Sequence, residues 1–492
     1  MTNPATALIR AAPATPARPI PRHVLTPTDW QRLPAALAAE PTLTLQALWA
    51  DATHIHALFL DDAPLLACTQ VEAGLYAALS PARPGAALFE RTIADLWGHH
   101  AADALDFRPW LDHGHWPNLH PLSPRPVPHT LQPDPYEYHA ATAAQLPVGP
   151  IRDTIAEPAH LRLTASGETL QCLEARLGYA HKGTLLLMRD KSPRAAARFA
   201  ARLSGDSTVA HSIAFAHAVE AALDTPAPPR AAALRAVMAE LERIANHLAD
   251  IAAACEATRP TSLPARLHTH REALRRAADA AFGHRLMMDL VIPGGTLPDL
   301  ATDALLPPLH ALDADLPRLA RAYHRTLSHH LAGIATLTPA LIAAYAPGGP
   351  IARAAGRAFD LRRALPYPPY SDLPIAVATL PQGDADARLR LRLAEIATSV
   401  TLLRTLLAAH PDTPFPVPLP LGSGEGLGWA EAASGDAWHW VRLDGGAVAS
   451  AFARDPAWLH WPLLEAAAAG TPRAGLPLLF ASINPSVSGM DL

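Results

Sequence analysis

The stretch Arg202-Leu-Ser-Gly-Asp-Ser-Thr-Val-Ala-His-Ser212 is the most informative part of this chain. By itself it is a short loop of Ser, Gly and Asp, which is typical of an ordinary polar connection. It is framed by Leu177-Gly-Tyr-Ala-His-Lys-Gly183 and by Ala239-Glu-Leu-Glu-Arg-Ile-Ala-Asn-His-Leu248. Each stretch is short and indicates little alone, so the order of the three along the chain decides the fold assignment.

The length and composition indicate a folded protein of several domains. A chain of 492 residues is long enough for about two or three domains, and a hydrophobic content of 50% allows a sizeable core. Charged residues make up only 17% of the chain, and the formal net charge is −5. Because no cluster of Lys and Arg occurs, this balance excludes a nucleic-acid-binding protein.

The cysteines and the apolar segments indicate the kind of cellular compartment in which we expect the protein. Cys68, Cys172 and Cys255 are far apart and form no Cys-x-x-Cys pair. We therefore expect neither a disulfide framework nor a cysteine-ligated metal cluster within this chain, which fits a reducing compartment. The N-terminus lacks the apolar core of a signal peptide, and no run of about 18 apolar residues occurs. We expect a soluble protein that reaches a membrane only through partners.

The composition also divides the chain into parts. Residues 1–24 are rich in Pro and Ala, and we predict that they are disordered. Residues 25–122 are predicted to form a small α/β domain, and residues 123–147 form a Pro-rich linker. Residues 148–492 make up the larger remaining part.

Apolar periodicity predicts the main strands and helices. Residues 42–49 and 54–60 alternate as strands do, and residues 160–174 are predicted to form two strands around a Ser-Gly-Glu turn. Short apolar runs and a Gly-Gly turn predict a β-rich part over 428–492. The predicted helices cover residues 231–254, 264–282, 305–331 and 385–409.

The predicted N-terminal domain carries Phe89-Glu-Arg-Thr-Ile-Ala-Asp-Leu-Trp-Gly98, followed by Arg108-Pro-Trp-Leu111 and Trp116-Pro-Asn-Leu-His-Pro-Leu122. These segments resemble the signature of the complex I 30-kilodalton-type subunit. Thr92 departs from it, since a second Glu is usual there, and so does Ser123, where Arg is usual. The alternative is that Glu90, Arg91 and Asp95 form only a solvated helix face.

Residues 148–492 resemble the large-subunit family shared by complex I (its 49-kilodalton-type subunit) and group 4 nickel–iron hydrogenases. The matching segments, beyond the three central stretches, are Gly149–Arg152, Glu157–Arg162, Val291–Gly295, Asp360–Tyr367, Gly383–Arg388, Glu431–Gly435 and Asp444–Gly446. The resemblance implies an α+β fold with a central helical bundle and β-rich N- and C-terminal parts. It also implies a fusion of two subunits, as in large subunits of the formate-hydrogenlyase type.

The family's metal ligands are replaced. In the hydrogenases two Cys-x-x-Cys pairs hold nickel and iron, since soft thiolates suit these metals. The resemblance places the cysteine positions at Ser204, Ser207, Ser486 and Gly489. Serine hydroxyls are hard and hardly ionised at neutral pH. We therefore expect no metal in this chain and exclude a true hydrogenase.

A quinone site is the second expectation. In complex I a His and a Tyr hold the quinone, and the resemblance places these positions near Pro158 and at Gly205, so neither residue is kept. Histidines nearby could hydrogen-bond a quinone carbonyl or relay a proton. The alternative is that these histidines are structural and bind backbone groups. The predicted cavity residues are His160, His181, Ser204, Gly205, Ser207 and His211.

Charged residues recur on two predicted helices. Glu240, Arg243 and His247 share one helix face, and Arg388 and Arg392 lie, with Glu395, on another. Such side chains are unfavourable to bury unless they are paired. One hypothesis is a charge relay behind the cavity, and the alternative is a fixed network of ion pairs.

Two functions of different classes follow from the resemblance. In the first, the chain forms a quinone-type cavity in an NAD- and quinone-linked oxidoreductase complex. It would lie next to an iron–sulfur small subunit of the complex I 20-kilodalton type, and that partner would hold the cluster. In the second, the chain is a non-catalytic scaffold or coupling subunit of an ion-translocating complex. Both predict membrane subunits of the complex I or antiporter type as partners and a peripheral position on the cytoplasmic side of the inner membrane.

Overall fold

The computed structural model describes residues 3–131, 144–151, 157–258, 261–297, 302–408 and 411–492. The first part of the chain is an α/β unit. Its elements are α1 (Pro4–Ala11), β1 (Ala14–Thr15), β2 (Arg22–Leu25), α2 (Pro27–Ala38), β3 (Thr44–Ala50), β4 (His54–Leu60), β5 (Pro64–Gln70), β6 (Leu75–Ala77), α3 (Ala87–Trp97), β7 (His100–Ala102), β8 (Asn118–Leu119) and β9 (Val127–Pro128). The main sheet has the order β1-β2-β5-β4-β3, and only β2 and β5 pair in parallel. Strands β3 and β4 confirm the two strands predicted here.

The prediction that residues 1–24 are disordered is wrong for the described residues 3–24. The side chains of Ala5 and Ile9 on α1 are fully buried. Glu40 accepts hydrogen bonds at 2.8 Å and 3.0 Å from the backbone N–H groups of Ala5 and Thr6. Arg18 forms a β-bridge with a residue of the C-terminal sheet. These partners are distant in sequence, so the Pro/Ala-rich composition did not reveal them.

The alternative of a solvated helix face on α3 is also wrong. Glu90 is buried and accepts hydrogen bonds from the N–H groups of Leu79 and Ser80 at 2.6 Å and 2.9 Å. Arg91 donates to two backbone carbonyls of the segment after β7. Asp95 accepts from two N–H groups of the same segment. The three charged side chains therefore hold the loops of this unit together.

The larger part contains the remaining elements. They are β10 (Ala144–Val148), β11 (His160–Ser166), β12 (Thr169–Arg176), α4 (Thr184–Met188), α5 (Pro193–Ala200), α6 (Thr208–Ala222), α7 (Pro229–Glu256), α8 (Leu263–Phe282), β13 (Val291–Ile292), β14 (Gly295–Thr296), α9 (Leu306–Tyr323), α10 (His329–Leu331), α11 (Pro339–Tyr345), α12 (Gly349–Arg353), α13 (Leu361–Ala364), α14 (Ala385–Ala408), β15 (Gly424–Glu431), β16 (Asp436–Asp444), β17 (Ala447–Arg454), α15 (Ala457–Ala468), α16 (Leu476–Ile483) and α17 (Ser488–Asp491). One π-helical turn connects α9 to α10, and short 3-10 turns lie at Pro84–Ala86, Thr302–Ala304, Tyr370–Asp372 and Arg473–Gly475.

The predicted hairpin and helices are confirmed here. Strands β11 and β12 pair antiparallel around the Ser-Gly-Glu turn, and α7, α8, α9 and α14 lie at the predicted places. The β-rich C-terminal part is only half right, because β15–β17 are followed by α15, α16 and α17. Short apolar runs fit a buried strand as well as a buried helix, which explains the error.

The central bundle is built around α6, α7, α8 and α14, and the sheet of β15–β17 packs against α6. Glycines at alternate positions of β15 make this contact possible. A Cβ on Gly424, Gly426 or Gly428 would lie within 2.2 Å of a backbone oxygen of α6. The helix therefore lies directly on the strand.

The N-terminal unit and the C-terminal sheet share one core. Trp49 stacks on Phe452 with ring centroids 5.3 Å apart, and Phe89 stacks on Trp458 at 4.6 Å. The class is α+β, as expected from the resemblance. The domain boundaries stay predictions, since about half of the predicted linker, residues 132–143, lies outside the described residues. Among the helices that are described, none has the length and apolar character needed to cross a membrane.

Candidate functional site

Two loops that are far apart in sequence meet beside the bundle. One is the turn from Ser204 to Ser207 between α5 and α6, and the other begins at Ser486 between α16 and α17. The hydroxyl oxygens of Ser204 and Ser486 are 3.1 Å apart, and Ser204 and Ser207 are almost fully buried. The structure thus brings together the two loops that carry cysteine in the family.

The second loop is clamped by a carboxylate from the segment before β11. Glu157 accepts hydrogen bonds from the backbone N–H groups of Val487 and Ser488 at 2.5 Å and 3.2 Å. The hydroxyl group of Ser488 donates to the same carboxylate. Glu157 lies in a segment that the family resemblance includes, but sequence reasoning did not select it as a site residue.

Lys182 and Asp491 hold the neighbouring backbone. Lys182 Nζ donates to the carbonyl oxygen of Leu203 at 2.8 Å, directly before the first loop. Burial lowers the pKa of Lys182, although nearby carboxylates oppose this shift. Asp491 accepts from the N–H groups of Gly178 and Ala180 at 3.0 Å and 2.9 Å. Burial raises the pKa of Asp491 to about 7.

The N-terminus of α6 is fixed by α7. Glu242 accepts hydrogen bonds from the N–H groups of Val209 and Ala210 at 2.7 Å and 3.1 Å. Burial raises the pKa of Glu242 to about 8. Asn246 donates to the carbonyl oxygen of Asp206 in the first loop. Burial and nearby carboxylates raise the pKa of Asp206 to about 6.

At the fourth family cysteine position, Gly489, another residue occupies the space that a side chain would take. A Cβ on Gly489 would lie 2.4 Å from Cγ of Asp455, so the carboxyl group of Asp455 occupies this space. Asp455 accepts a hydrogen bond from Nε2 of His211 at 2.9 Å, and Nδ1 of His211 lies 3.0 Å from Nε2 of His439. His211 is therefore buried inside the protein and does not line an open cavity.

The other predicted histidines bind backbone groups, as the structural alternative expects. His160 Nδ1 lies 3.3 Å from the carbonyl oxygen of Gly149. His181 Nδ1 lies 2.6 Å from the carbonyl oxygen of Asp491, and its ring stacks on Trp116 at 4.7 Å. The two residues do not meet His211 through these contacts. Their role in ligand binding stays a prediction.

A cavity of about 340 Å³ lies against His181 and Lys182. Its walls are mostly apolar and come from the segment before β9 and from α4. Lys182 also holds the loop that contains Ser204, so the cavity adjoins this loop. Gly205 instead lines a separate crevice between α7 and α8. The residues around the cavity are Leu96, Trp116, Pro117, Asn118, Pro121, Leu122, His181, Lys182, Gly183, Leu185, Leu186 and Leu492.

Most of the predicted relay residues belong to buried ion pairs. Glu240 pairs with Arg243 at 3.3 Å and with Arg362 at 2.9 Å. His247 lies 2.9 Å from Glu395. Sequence reasoning missed Arg362, although it lies in a segment that the family resemblance includes.

Arg353 connects the carboxylates and was also missed. Its guanidinium lies 2.8 Å from Glu395, 2.9 Å from Glu431 and 3.5 Å from Asp360. Burial raises the pKa of Glu395, but Arg353 and the hydrogen bond from His247 lower it well below its usual range. Burial and the charge of Asp360 raise the pKa of Glu431 to about 7.

The remaining two predicted arginines lie outside this network. Arg392 pairs with Asp250 at 3.0 Å, and Asp250 also accepts from Asn484 next to the second loop. Arg388 donates to the hydroxyl group of Ser482 at 2.8 Å and to two backbone carbonyls. Burial lowers the pKa of Arg388 to about 9.

Two family descriptions match the middle of the chain. Residues 182–250, which include the first loop, match the family "Nickel-dependent hydrogenase". Residues 261–420 match "Respiratory-chain NADH dehydrogenase, 49 Kd subunit". The chain is a homologue of hydrogenase and complex I large subunits.

The sequence similarity to individual known proteins covers most of the chain. Hydrogenase-4 component G of Escherichia coli is 28% identical over 430 residues, which are 85% of this chain and 76% of that protein. Formate hydrogenlyase subunit 5 of the same organism is 28% identical, over 85% of this chain and 77% of that protein. A chain of the membrane-bound sulfane sulfur reductase, an archaeal respiratory membrane complex, has a TM-score of 0.66 at 23% identity. That match covers 71% of this chain and 98% of the other, and it shows the fold.

Proposed function

We propose that this chain is the large subunit of a membrane-associated, complex I-like or hydrogenase-related oxidoreductase complex. In this proposal it lies peripherally on the cytoplasmic side of the membrane and faces an iron–sulfur small subunit and membrane subunits. The contact between Ser204 and Ser486 carries the proposal, because it keeps the family's two central loops in place.

The residues present do not fit a nickel–iron centre. Three of the four family ligand positions offer a hydroxyl group, and Gly489 offers no side chain. The space beside Gly489 is taken by the carboxyl group of Asp455. Hydroxyl groups do not replace the thiolates that these metals require. We therefore infer that the reaction does not use such a centre.

A quinone-type acceptor is the ligand that we propose for the cavity beside Lys182. The cavity is mostly apolar and has a size suited to a small organic molecule. Its polar side chains, Asn118, His181 and Lys182, would orient an acceptor through a carbonyl oxygen. The proposed small subunit, as the electron donor, would close the open side of the cavity. Leu186 lines this cavity and is 44% exposed, so it presents apolar surface to such a partner.

The second candidate is a non-catalytic scaffold. One observation favours it: His181, His160 and the two serines are bonded to protein groups. A subunit of this kind would hold ion-translocating membrane partners without reacting with a ligand itself.

Pull-down of the tagged chain from mildly solubilised membranes, followed by mass spectrometry, tests both functions. Recovery of an iron–sulfur small subunit together with membrane subunits supports the redox proposal, and reduction of a soluble quinone analogue by this assembly then confirms it. Recovery of membrane subunits without a cluster-bearing partner supports the scaffold. Recovery of neither refutes both.

A pair of matched variants tests the docking face. We expect Leu186→Arg to lower recovery of the small subunit at least several-fold, because a charge would have to be buried in the contact. The control is Leu75→Arg, since Leu75 on β6 is 53% exposed and does not line the cavity. Equal recovery with both variants would show that the partner does not bind at this cavity.

A further inference from the structure

The crevice between α7 and α8 is lined by arginines and opens next to the first loop. Arg275 and Arg285 line it, and Gly205 of the first loop is exposed beside them. A Cβ on Gly205 would meet no atom within 4 Å, so the loop leaves this space open. We call this space the arginine crevice. Its walls also include the buried apolar side chains of Leu241, Leu274 and Met287.

Two arginines of α8 lack an acceptor. The Nε atoms of Arg271 and Arg275 are buried, and among the described residues neither has a hydrogen-bond partner. Neither guanidinium takes part in an ion pair within the described ranges. The two residues are four positions apart, so they share one face of the helix. Because a buried donor without an acceptor costs free energy, this arrangement favours an acceptor from outside the chain.

The nearby acidic side chains do not supply that acceptor. Glu272 accepts hydrogen bonds from Arg276 at 3.1 Å and from Arg285 at 2.7 Å. Asp206 in the first loop attracts Arg275, but in the part of the chain that the structure describes it forms no ion pair with it. The positive charge of Arg275 is therefore not neutralised by direct contact with a carboxylate.

The electrostatics of the crevice agree with this geometry. Burial lowers the pKa of Arg275, and the charges of Arg271 and Arg285 lower it further. Burial also raises the pKa of Glu242, which lines the same crevice, to about 8. This wall therefore carries little negative charge at neutral pH, and the crevice is electrostatically suited to an anion.

The size of the crevice restricts the anion that fits. Its open volume is about 20 Å³, which suits a group of about the size of a water molecule and not an organic cofactor. The carboxylate of a side chain is such a small group, and a guanidinium binds it through two parallel hydrogen bonds. The apolar walls exclude water, which strengthens the attraction between opposite charges.

We propose that the arginine crevice receives an aspartate or glutamate side chain of a partner subunit. Its carboxylate accepts hydrogen bonds from Arg275 and, one helical turn away, from Arg271, and it neutralises like charges that repel each other in the free chain. The proposal rests on the proposed function, because that function places partner subunits against the two central loops. It adds the chemistry by which one partner is recognised, namely an acidic side chain on the surface that covers Gly205.

Nitrogen NMR of the isolated chain, labelled with ¹⁵N only in arginine, tests the crevice without a partner. The probe is the peptide acetyl-Gly-Glu-Asp-Glu-Gly-amide, and the control peptide carries Gln and Asn in place of the acids. We expect millimolar acidic peptide to shift the Nε–H signals of Arg271 and Arg275, which replacement by lysine assigns, and added salt to reverse the shift. The control peptide should shift neither signal.

Three results of this titration would overturn the proposal. In the first, the acidic peptide moves neither signal. In the second, it moves the signal of Arg276 equally, which would indicate attraction to any surface arginine. In the third, sodium phosphate shifts the signals of Arg271 and Arg275 and the acidic peptide does not, so that the occupant is a free anion.

A matched pair of variants tests the crevice in the assembly. Arg275→Gln should lower recovery of at least one partner several-fold in the pull-down from membranes. The control is Arg276→Gln, which removes the same charge from α8 at a side chain that is 80% exposed and does not line the crevice. This variant should leave recovery unchanged. Equal recovery of every partner with both variants would overturn the proposal.

Thermal denaturation of the isolated variants separates docking from a structural role. Arg275→Gln should melt no lower than Arg276→Gln, because it removes a partly buried charge that has no counter-ion in the free chain. A lower melting temperature would show that Arg275 stabilises the free chain, and the proposal would fail. If the unmodified chain recovers no partner at all, the proposed function fails, whereas the peptide titration still decides whether the crevice binds a carboxylate.

Discussion

Replacing Arg353 with methionine tests whether the buried ion-pair network stabilises the fold more than an exposed ion pair does. Arg353 is almost fully buried among Glu395, Glu431 and Asp360, with its closest contacts at 2.8 Å and 2.9 Å. Methionine fills a similar space but removes the cation that pairs with Glu395 and Glu431, whereas Asp360 keeps its ion pair with Arg362 at 2.7 Å. Breaking a buried ion pair by removing one partner costs about 3–5 kcal/mol. We expect a loss of unfolding free energy in this range at neutral pH.

The control is Arg390→Met on α14. Arg390 is partly exposed and lies 3.6 Å from Asp386, and exposed pairs contribute about 0–1 kcal/mol. Urea denaturation followed by tryptophan fluorescence measures both variants. If Arg353→Met is no less stable than Arg390→Met, the network does not stabilise the fold and the reasoning fails.

The pH dependence of the Arg353 variant follows from Glu395. Its pKa is held well below its usual range in the folded protein, mainly by Arg353 against the effect of burial. A lowered pKa gives stability that is present above the unfolded pKa and is lost as the pH falls through the folded value. Without Arg353 this contribution disappears. The stability difference between the two proteins should therefore shrink as the pH falls below about 4.5.

Three further substitutions test the fold and the site by thermal denaturation. Ile9→Ala should cost about 2–5 kcal/mol, because this side chain is fully buried; no loss would mean that α1 is not docked. Gly426→Ala should lower the melting temperature markedly, because its Cβ would lie 1.9 Å from the carbonyl oxygen of Ala218, whereas Gly205→Ala has open space and should change little. Glu242→Gln should be less stable than the unmodified protein at pH 6, and this difference in stability should be smaller at pH 9. A carboxyl group with a raised pKa, here about 8, gives stability that is lost as the pH rises, and an equal difference at both pH values would contradict this.

The sequence predicted the parts of the fold that depend on local patterns. The strands β3, β4, β11 and β12 and the long helices α7, α8 and α14 follow from apolar spacing and turn residues. The order of Ser204 and Ser486 in family segments also predicted that their loops belong to one site. The prediction for the N-terminal segment was wrong because the groups that order this segment, such as Glu40 and the C-terminal sheet, are distant in sequence.

The contacts of His211 show most clearly what sequence reasoning could not reach. His211 was selected because it lies near the first loop, but Asp455 and His439 are more than 200 positions away and carry no local signal. Gly489 was interpreted only as a lost ligand. The structure shows that the missing side chain leaves space for a carboxyl group. A substitution that removes one chemistry can therefore admit another, and only the neighbours in space reveal which.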